Sequence, residues 1–248
     1  MSREPIDAGR LSEQIAPWRL RLLAETGSTN FDAAEAGRLG EPEGLVVIAE
    51  HQTAGRGRQG RAWLSTPRAG LWLSVLLRPR ADVARWGWLP LLTGVALADT
   101  VAGSRLKWPN DLLLHGRKTA GILAEAVTPA RMPAVVVGIG LNVSQRRDEL
   151  PPGVNATSLH LEGLAQDRTE LAARLLTRFQ ARYQDWEGLR EDYLARCDTI
   201  GRPVRVALPG GAEITGKATT VDEDGRLIVQ TEDGRLCPIA AGDVTHVR

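Results

Sequence analysis

The residues best suited to chemistry lie in one short stretch, Gly55-Arg56-Gly57-Arg58-Gln59-Gly60-Arg61, with Trp63 two residues beyond it. Its glycines leave the backbone free to bend and to bring N–H groups close to a ligand. Its arginines add permanent positive charge and a planar set of donors that suits phosphate or carboxylate. We therefore expect a loop that grips an anionic ligand and is ordered by it. The same composition also fits a solvated basic linker or a glycine-arginine segment that binds RNA.

A second group of polar residues begins with Lys107-Trp108-Pro109-Asn110-Asp111 and ends at Lys118, just after the pair His115-Gly116. Apolar segments flank that pair, which predicts a β-hairpin turn with Lys118 just inside the returning strand. The proline before Asn110 and Asp111 favours a rigid bend, which can position a hydroxyl or a magnesium ion. Asn-Asp after proline is also ordinary turn chemistry. The ammonium of Lys118 is suited to neutralising charge on a phosphoryl group, although most lysines on strands are only solvated.

Hydroxyl and amide groups are also concentrated in the turn from Thr26 to Asn30, which precedes a predicted helix from Phe31 to Ala36. Hydroxyls and free N–H groups at a helix start can face a polar ligand. Alternatively, Ser28 and Thr29 only cap the helix, with Thr29 and Asp32 forming a loose capping box. Both interpretations remain open from the sequence.

The continuous apolar run from Val135 to Val143 predicts a buried strand, and it contains Gly138 and Gly140. Glycines inside a strand suggest that another group approaches the backbone closely. A dinucleotide-binding fingerprint is a weak alternative, because the third glycine is missing and no helix follows.

Strands and helices must hold these motifs in place. The apolar runs Leu45 to Ala49 and Leu71 to Leu77 predict strands on either side of the glycine-arginine loop. The connection between them is long, and such loops are usually functional or disordered. Further predicted elements are a strand over 19–25, a helical stretch over 82–103, a helix from Thr169 and a helix over 189–196. The helix from Thr169 has an apolar stripe at Leu171, Leu175, Phe179 and Tyr183. The first eighteen residues contain no evident module of their own.

The composition changes at Gly201-Arg202-Pro203, which suggests a boundary between a domain over 1–200 and a second over 201–248. Short alternating segments follow, over 204–208, 213–221, 227–230, 236–239 and 244–247. The pairs Asp224-Gly225 and Asp233-Gly234 between them are strong hairpin signals. Five short strands in so few residues predict a small SH3-like barrel.

Composition limits the class of protein. The 248 residues are 43% hydrophobic and 25% charged, as in an ordinary globular protein. The formal net charge of +1 gives no overall field that would draw the chain onto nucleic acid or a membrane. Cys197 and Cys237 have no metal-ligand spacing, the histidines are scattered, and the N-terminus lacks the apolar core of a signal peptide. We expect a cytoplasmic protein that binds neither DNA nor a membrane.

The sequence contains four separated motifs in this order: the Ser-Thr-Asn turn, the loop GRGRQGR with Trp63, KWPND followed by GRKTAGI, and VGIGLN. In this order, and followed by a small barrel, they closely resemble the biotin–protein ligases (biotin–[acetyl-CoA-carboxylase] ligase). The resemblance extends from about Leu20 to the end, and GRGR-x-GR together with KWPND is specific to that family. It implies the α+β class: a mixed β-sheet catalytic domain with helices packed on it, plus a C-terminal SH3-like β-barrel.

The resemblance also implies a reaction in two steps. Biotin and ATP, with Mg²⁺, first give biotinyl-5′-adenylate and pyrophosphate. The biotinyl group then passes to one lysine of a biotin carboxyl carrier protein, such as the carrier domain of an acetyl-CoA, acyl-CoA or pyruvate carboxylase. A monomer or a weak homodimer is expected.

Site residues follow from the same resemblance. Lys118, Arg58 and Arg61 would be catalytic: Lys118 would bridge the biotin carboxylate and the α-phosphate, and the two arginines would close over the adenylate. The implied biotin-binding residues are Ser28, Thr29, Asn30, Gln52, Gly55, Arg56, Arg58, Trp63, Lys118, Gly138 and Gly140. The implied ATP-binding residues are Arg58, Arg61, Trp63, Lys107, Asn110, Asp111 and Asn142, with Asp111 also facing Mg²⁺.

Two departures from the family pattern stand out. Many members carry an N-terminal helix-turn-helix that represses biotin genes, and fewer than twenty residues precede the first predicted strand here. We therefore expect a ligase without repressor activity. Gln59 occupies a position where some relatives have arginine.

Three alternative functions remain open from the sequence. A lipoate–protein ligase would share the fold and the adenylation chemistry, but a different glycine-rich motif is expected for it. A nucleic-acid-binding module could use the arginine loop and the barrel, against which the near-neutral net charge argues. A scaffold that binds the carrier without catalysis is the third.

Overall fold

A computed structural model describes residues 3–128, 133–164 and 166–247 of the protein. Within these ranges the chain forms two sheets with helices packed mainly on the larger one. The helices are α1 (Ala8–Gln14), α2 (Thr29–Arg38), α3 (Trp88–Thr100), α4 (Arg168–Gln184) and α5 (Leu189–Arg196). Short 3₁₀ turns lie at Arg58–Gly60, Val83–Gly87 and Arg147–Glu149.

The larger sheet comprises β1 (Arg19–Leu23), β2 (Leu45–Ala49), β3 (Gly70–Leu77), β4 (Arg105–Lys107), β5 (Asp111–Leu114), β6 (Arg117–Ala126) and β7 (Val135–Asn142). Their order across the sheet is β1-β2-β3-β7-β6-β5-β4. The β1–β2 pair is parallel and the other pairs are antiparallel, so the sheet is mixed, as expected for the α+β class. This order places the end of β2, the start of β6 and the glycines of β7 close together.

The two faces of this sheet are used differently. On β7, Val137, Ile139 and Leu141 point into the main hydrophobic core, which α3 and α4 cover. Gly138 and Gly140 alternate with them and therefore lie on the opposite face. Helix α2 covers part of that second face, where a smaller apolar cluster forms. The rest of that face, over the glycines, is left for a cavity.

The C-terminal sheet consists of β8 (Pro203–Ala207), β9 (Glu213–Val221), β10 (Leu227–Gln230), β11 (Leu236–Ile239) and β12 (Asp243–His246). All described pairs are antiparallel, in the order β11-β10-β9-β8-β12. The five predicted strands are confirmed, whereas closure into a barrel stays a prediction, as does the domain boundary near residue 201.

Tryptophan side chains dock the two sheets against each other. The indole N–H of Trp88 donates to the Glu223 carbonyl at 2.8 Å, and that of Trp108 donates to the Gly225 carbonyl at 3.1 Å. The tight turn at Asp224-Gly225 places these carbonyls against α3 and the β4–β5 turn. Because each indole satisfies a carbonyl while burying its ring, the sheets share one continuous core.

Most sequence predictions for the elements are confirmed, including the hairpin at His115-Gly116, where both residues have positive φ. The strand predicted over 19–25 is confirmed but ends at Leu23. The first eighteen residues, for which no module was predicted, contain one short helix, α1, whose Leu11 is fully buried. No helix in the described part of the chain is long and apolar enough to cross a bilayer.

Candidate active site

A cavity opens over the glycine face of the larger sheet and is roofed by the glycine-arginine loop. We call residues 55–63 the flap. Thirteen of the predicted site residues line this cavity: Ser28, Thr29, Asn30, Gln52, Arg56, Arg58, Arg61, Trp63, Asn110, Lys118, Gly138, Gly140 and Asn142. Four separate stretches of sequence therefore meet at one place.

The other three predicted residues are placed differently. Gly55 lies at the base of the flap, where a Cβ would come within 2.6 Å of the Trp63 carbonyl oxygen. Asp111 contacts Lys118 rather than the cavity itself. Lys107 lies outside the cavity lining, and its charge acts on His246 of the C-terminal sheet.

The flap is folded back on itself. The Trp63 N–H donates to the Gly55 carbonyl at 2.8 Å, and the Gly57 N–H donates to the Arg61 carbonyl at 2.7 Å. At its tip Gln59 has φ of 55° and Gly60 has φ of 73°, so a left-handed turn reverses the chain. A glutamine there carries a Cβ that is unfavourable in this conformation. Ordering of the flap by a ligand stays a prediction.

Trp63 lies in a slot made by two glycines on neighbouring strands. Gly121 of β6 and Gly140 of β7 are paired directly across the sheet. A Cβ on Gly140 would meet the Trp63 ring at 2.5 Å, and one on Gly121 would meet it at 2.7 Å. The ring also packs edge-on against Trp72, with 6.4 Å between centroids. Both glycines therefore bring the flap onto the sheet.

Lys118 reaches the cavity because of an irregularity in the hairpin. The β5–β6 register shifts so that Leu112 opposes Ala120 whereas Leu113 opposes Lys118. The additional residue of this bulge turns Lys118 onto the same face as Gly121. Its ammonium lies 2.6 Å from Asp111 Oδ1 and 5.5 Å from the centre of the Trp63 ring.

The backbone around Lys118 is fixed from outside the hairpin. Its N–H donates to the Asn155 carbonyl at 2.9 Å, and its carbonyl accepts from the Thr157 N–H at 2.8 Å. Glu162, whose side chain is 3% exposed, accepts hydrogen bonds from His115 and Arg117 at the hairpin tip. Burial raises the pKa of Glu162, but its hydrogen bonds and the arginine charge outweigh burial and keep the pKa below its ordinary value. The hairpin tip is thus held by a carboxylate that stays ionised.

The two predicted catalytic arginines contact the C-terminal sheet. Arg58 donates to the Asn110 side-chain oxygen at 3.2 Å and to the Gly242 carbonyl at 3.4 Å. Arg61 forms an ion pair with Asp243 at 2.8 Å. Burial lowers the pKa of Arg58, with the charge of Asp243 opposing and that of Arg61 adding to this effect. Two guanidinium groups close together, that of Arg58 partly desolvated and that of Arg61 exposed, favour an anionic ligand.

The cavity floor near α2 is polar. Thr29 donates its N–H to Gln52 Oε1 at 2.9 Å, and its hydroxyl lies 2.8 Å from the Ser74 hydroxyl. Ser28 occupies the N-cap position of α2 without a capping hydrogen bond from its side chain. The capping-box interpretation was therefore wrong, because Asp32 accepts from Thr26 and Thr29 faces the floor.

Sequence reasoning missed several contributors. Ser74 and Glu125 bind Asn30, Gly121 completes the slot for Trp63, and Asp243 holds Arg61. A signal existed for Gly121, a glycine inside a predicted strand. The other three are single polar residues in ordinary strands, and their roles depend on which strands become neighbours.

Comparisons with known proteins agree with this geometry. A model of the biotin/lipoate A/B protein ligase family matches residues 28–142, and a model of the biotin protein ligase C-terminal domain matches residues 199–247. The chain is 46% identical to the biotin–[acetyl-CoA-carboxylase] ligase of Mycobacterium tuberculosis, over 99% of this chain and 97% of the relative. It is 35% identical to the corresponding ligase of Paracoccus denitrificans, over 86% and 95% of the two chains.

A solved structure is similar over nearly its whole length. The biotin protein ligase of Aquifex aeolicus in complex with biotin and ATP superposes with a TM-score of 0.78 at 29% identity, covering 93% of this chain and 99% of the other. The match includes both sheets, and the C-terminal family model is specific to biotin ligases. The chain therefore belongs to the biotin protein ligase family.

Proposed function

We propose that the protein is an ATP-dependent biotin–protein ligase. In the first step a biotin carboxylate oxygen bonds to the α-phosphorus of ATP, and the bond from that phosphorus to the bridging oxygen of pyrophosphate breaks. In the second step the ε-amine of a carrier lysine attacks the acyl carbon and AMP leaves. The observation that carries the proposal is a single cavity that joins the flap arginines, Lys118 and a polar floor.

In this proposal the biotin ring binds on the cavity floor beside α2. Ser28, Thr29, Asn30 and Gln52 supply donors and acceptors there, and their burial makes each hydrogen bond selective. Gly138 and Gly140 leave room above the sheet, and the flap backbone from Gly55 to Arg56 closes over the ring.

The carboxylate and the phosphates are placed toward Lys118 and Asn110. Lys118 lines the cavity with Asp111 behind it, so its ammonium is held in one position. As the carboxylate attacks, negative charge spreads over the phosphoryl oxygens, and Lys118, Arg58 and Arg61 stabilise it without being consumed. Trp63 covers the ligands, and Asn142 orders the adjacent loop by donating to the Thr157 carbonyl at 2.9 Å.

Magnesium fits this site as a companion of the nucleotide. Among the residues that the structure describes, no group of three or more His, Cys, Asp or Glu side chains could hold a metal ion. Mg²⁺ is commonly bound by one or two carboxylates together with substrate phosphates. Asn110 lines the cavity and would face such an ion, which would neutralise phosphate charge, and Asp111 would join it by exchanging its contact with Lys118 for the ion.

Closure of the flap protects the intermediate. A mixed anhydride of biotin and AMP reacts readily with water, so the cavity must exclude water until the acceptor lysine arrives. The acceptor we propose is the lysine of a biotin carboxyl carrier domain, presented at the rim of the cavity where Leu64 and Val154 are exposed.

Biotin-dependent exchange of labelled pyrophosphate into ATP tests the proposed function. The wild-type protein should catalyse exchange with biotin and not with lipoate. Exchange with lipoate alone would instead identify a lipoate ligase, and no exchange with either compound would refute adenylation.

Lys118→Ala tests the main catalytic assignment. Loss of a charge-assisted contact in the transition state should reduce exchange by about a hundredfold or more while the fold is kept. Lys217→Ala, on β9 of the C-terminal sheet, is the matched control and should exchange like wild type. Wild-type exchange by a folded Lys118→Ala variant would remove Lys118 from the mechanism.

A further inference from the structure

A chain of hydrogen bonds runs beneath the cavity from the start of the loop to the flap. It begins at Gln52, whose Oε1 accepts from the Thr29 N–H, and continues through the Thr29 and Ser74 hydroxyls. Ser74 donates to Asn30 Oδ1 at 2.6 Å, and Asn30 Nδ2 donates to Glu125 Oε2 at 2.7 Å.

The last hydrogen bond of this network connects Glu125 to the flap. The other carboxylate oxygen of Glu125 accepts from Arg56 Nη2 at 2.7 Å. Glu125 lies on β6, outside the cavity lining, and its side chain is 34% exposed. A single carboxylate therefore joins α2 to the flap.

The direction of the bonds follows from the two acceptors around Asn30 Nδ2, which are Glu125 Oε2 at 2.7 Å and the Leu123 carbonyl at 3.3 Å. A carboxylate only accepts, so Asn30 must present its N–H₂ group to Glu125 and its oxygen to Ser74. The Ser74 hydroxyl donates its only proton to that oxygen, so it must accept a hydrogen bond from the Thr29 hydroxyl. The Thr29 hydroxyl also lies 3.1 Å from Gln52 Oε1, so its one proton is shared between Ser74 and Gln52, and the same Gln52 oxygen accepts the Thr29 backbone N–H.

We propose that Glu125 is a positioning residue that, together with the Leu123 carbonyl, sets the donor and acceptor pattern of the cavity floor and that ties this pattern to the flap. This inference rests on the proposed function, in which the floor receives the ring urea of biotin. A ring urea carries two N–H donors and one carbonyl acceptor, so it binds only where each floor group points its proton the correct way. Fixing that pattern before the ligand arrives lowers the cost of binding.

The Asn30 amide has too little room to move away when Glu125 is replaced. Its Oδ1 lies 1.9 Å from where a Cβ on Gly138 would be, so the amide is pressed against the β7 backbone. In Glu125→Gln, the new amide has one oxygen for two donors, Arg56 and Asn30. Either Arg56 loses its partner, or the Asn30 amide must rotate by half a turn, which breaks its bond to the Leu123 carbonyl and reverses the bonds at Ser74 and Thr29.

The test compares Glu125→Gln with a double variant that also carries Asn30→Asp. In the double variant the carboxylate introduced at position 30 can accept both from the amide introduced at position 125 and from the Ser74 hydroxyl. This restores the original direction at Ser74 with the negative charge moved to the neighbouring side chain. Glu125→Gln should raise the KM for biotin about tenfold, as expected for one misdirected hydrogen bond to a charged group, and change the KM for ATP about twofold or less. The double variant should bring the biotin KM part of the way back to the wild-type value, because the second oxygen at position 30 faces the Leu123 carbonyl and limits the recovery.

Two single variants complete the comparison. Asn30→Asp alone, with two adjacent carboxylates, should bind biotin more weakly than wild type. Glu35→Gln is the matched control, because Glu35 pairs with Arg38 on the exposed side of α2. It should leave both KM values unchanged. A biotin KM in Glu125→Gln equal to that of wild type would overturn the proposal. So would a double variant no better than Glu125→Gln, since a merely structural carboxylate could not be rescued in this way.

A second readout works without substrates. Trypsin should cut the unliganded flap of Glu125→Gln several times faster than that of wild type, because Arg56 has lost part of its anchor. Equal cleavage would exclude the link to the flap. If the wild-type protein showed no biotin-dependent exchange, the proposed function would fail while this readout still tested Glu125.

Discussion

Replacing Gly140 by alanine should dislodge Trp63 and open the flap. The new Cβ would lie 2.5–2.7 Å from three atoms of the indole ring. Ordinary van der Waals contact needs about 3.5–4.0 Å, so the ring must move by about 1 Å or leave the slot. Trp72 and the backbone of Gly121 bound the ring on other sides and limit small adjustments.

The expected magnitude follows from the area that the slot covers. A tryptophan side chain buries about 150–250 Å², which is worth about 4–6 kcal/mol at about 25 cal/mol per Å² when wholly uncovered. Trp63 is only half-buried and would keep part of its contacts after leaving the slot. We therefore expect the free energy that favours the closed flap to fall by about 2 kcal/mol. That shift changes the ratio of open to closed flap by about 30-fold.

Limited trypsin digestion of the unliganded protein measures this ratio, because Arg56, Arg58 and Arg61 are cleavage sites within the flap. When opening is fast, the cleavage rate follows the open fraction and should rise by about 30-fold in Gly140→Ala. Gly27→Ala is the matched control, since a Cβ there meets no atom within 4 Å.

Two outcomes would refute this reasoning. One is an unchanged cleavage rate in a Gly140→Ala variant whose melting temperature matches that of wild type. The other is full additivity with Trp63→Ala: once the ring is absent, the added methyl group should have little left to displace.

Three further predictions concern the flap and the C-terminal sheet. Asp243→Asn removes the ionic partner of Arg61 and should raise the KM for ATP severalfold with little change in the KM for biotin; equal changes in both would contradict a role specific to the nucleotide. Biotin with ATP should protect the flap of the wild-type protein from trypsin, and unchanged cleavage would exclude ordering by ligand. His246→Gln should flatten the loss of stability on acidification, as measured by urea unfolding between about pH 7.5 and about pH 5.5.

The sign of the last effect comes from the pKa of His246. Burial, then the charges of Lys107 and Arg202, lower this pKa below its ordinary value of 6.5. The unfolded chain therefore binds the proton more readily than the folded one, and the stability from neutral His246 is complete above about pH 6.5. It is lost as the pH falls below that value. An equally steep loss in His246→Gln would assign the acid sensitivity to other groups.

Local sequence patterns alone determine much of this protein's fold. Alternating and continuous apolar runs predicted the strands of both sheets apart from β4, because burial on one or both faces leaves a direct mark on the sequence. Positive φ at Asp-Gly and His-Gly turns left a similar mark. The motifs GRGRQGR and KWPND identified the family because several uncommon residue types recur at fixed spacing. The helix α1 was missed because its seven residues are stabilised by contacts with distant parts of the chain.

Only the tertiary structure decided how the motifs cooperate. A bulge in β6 turns Lys118 toward the cavity, and the pairing of Gly121 with Gly140 makes a slot for Trp63. Glu125 and Asp243 gain their roles because separate strands bring them to Arg56 and Arg61. Such contacts depend on register and on the docking of the two sheets, which are set by the packing of the whole core. Residue order along the chain carries no local trace of them.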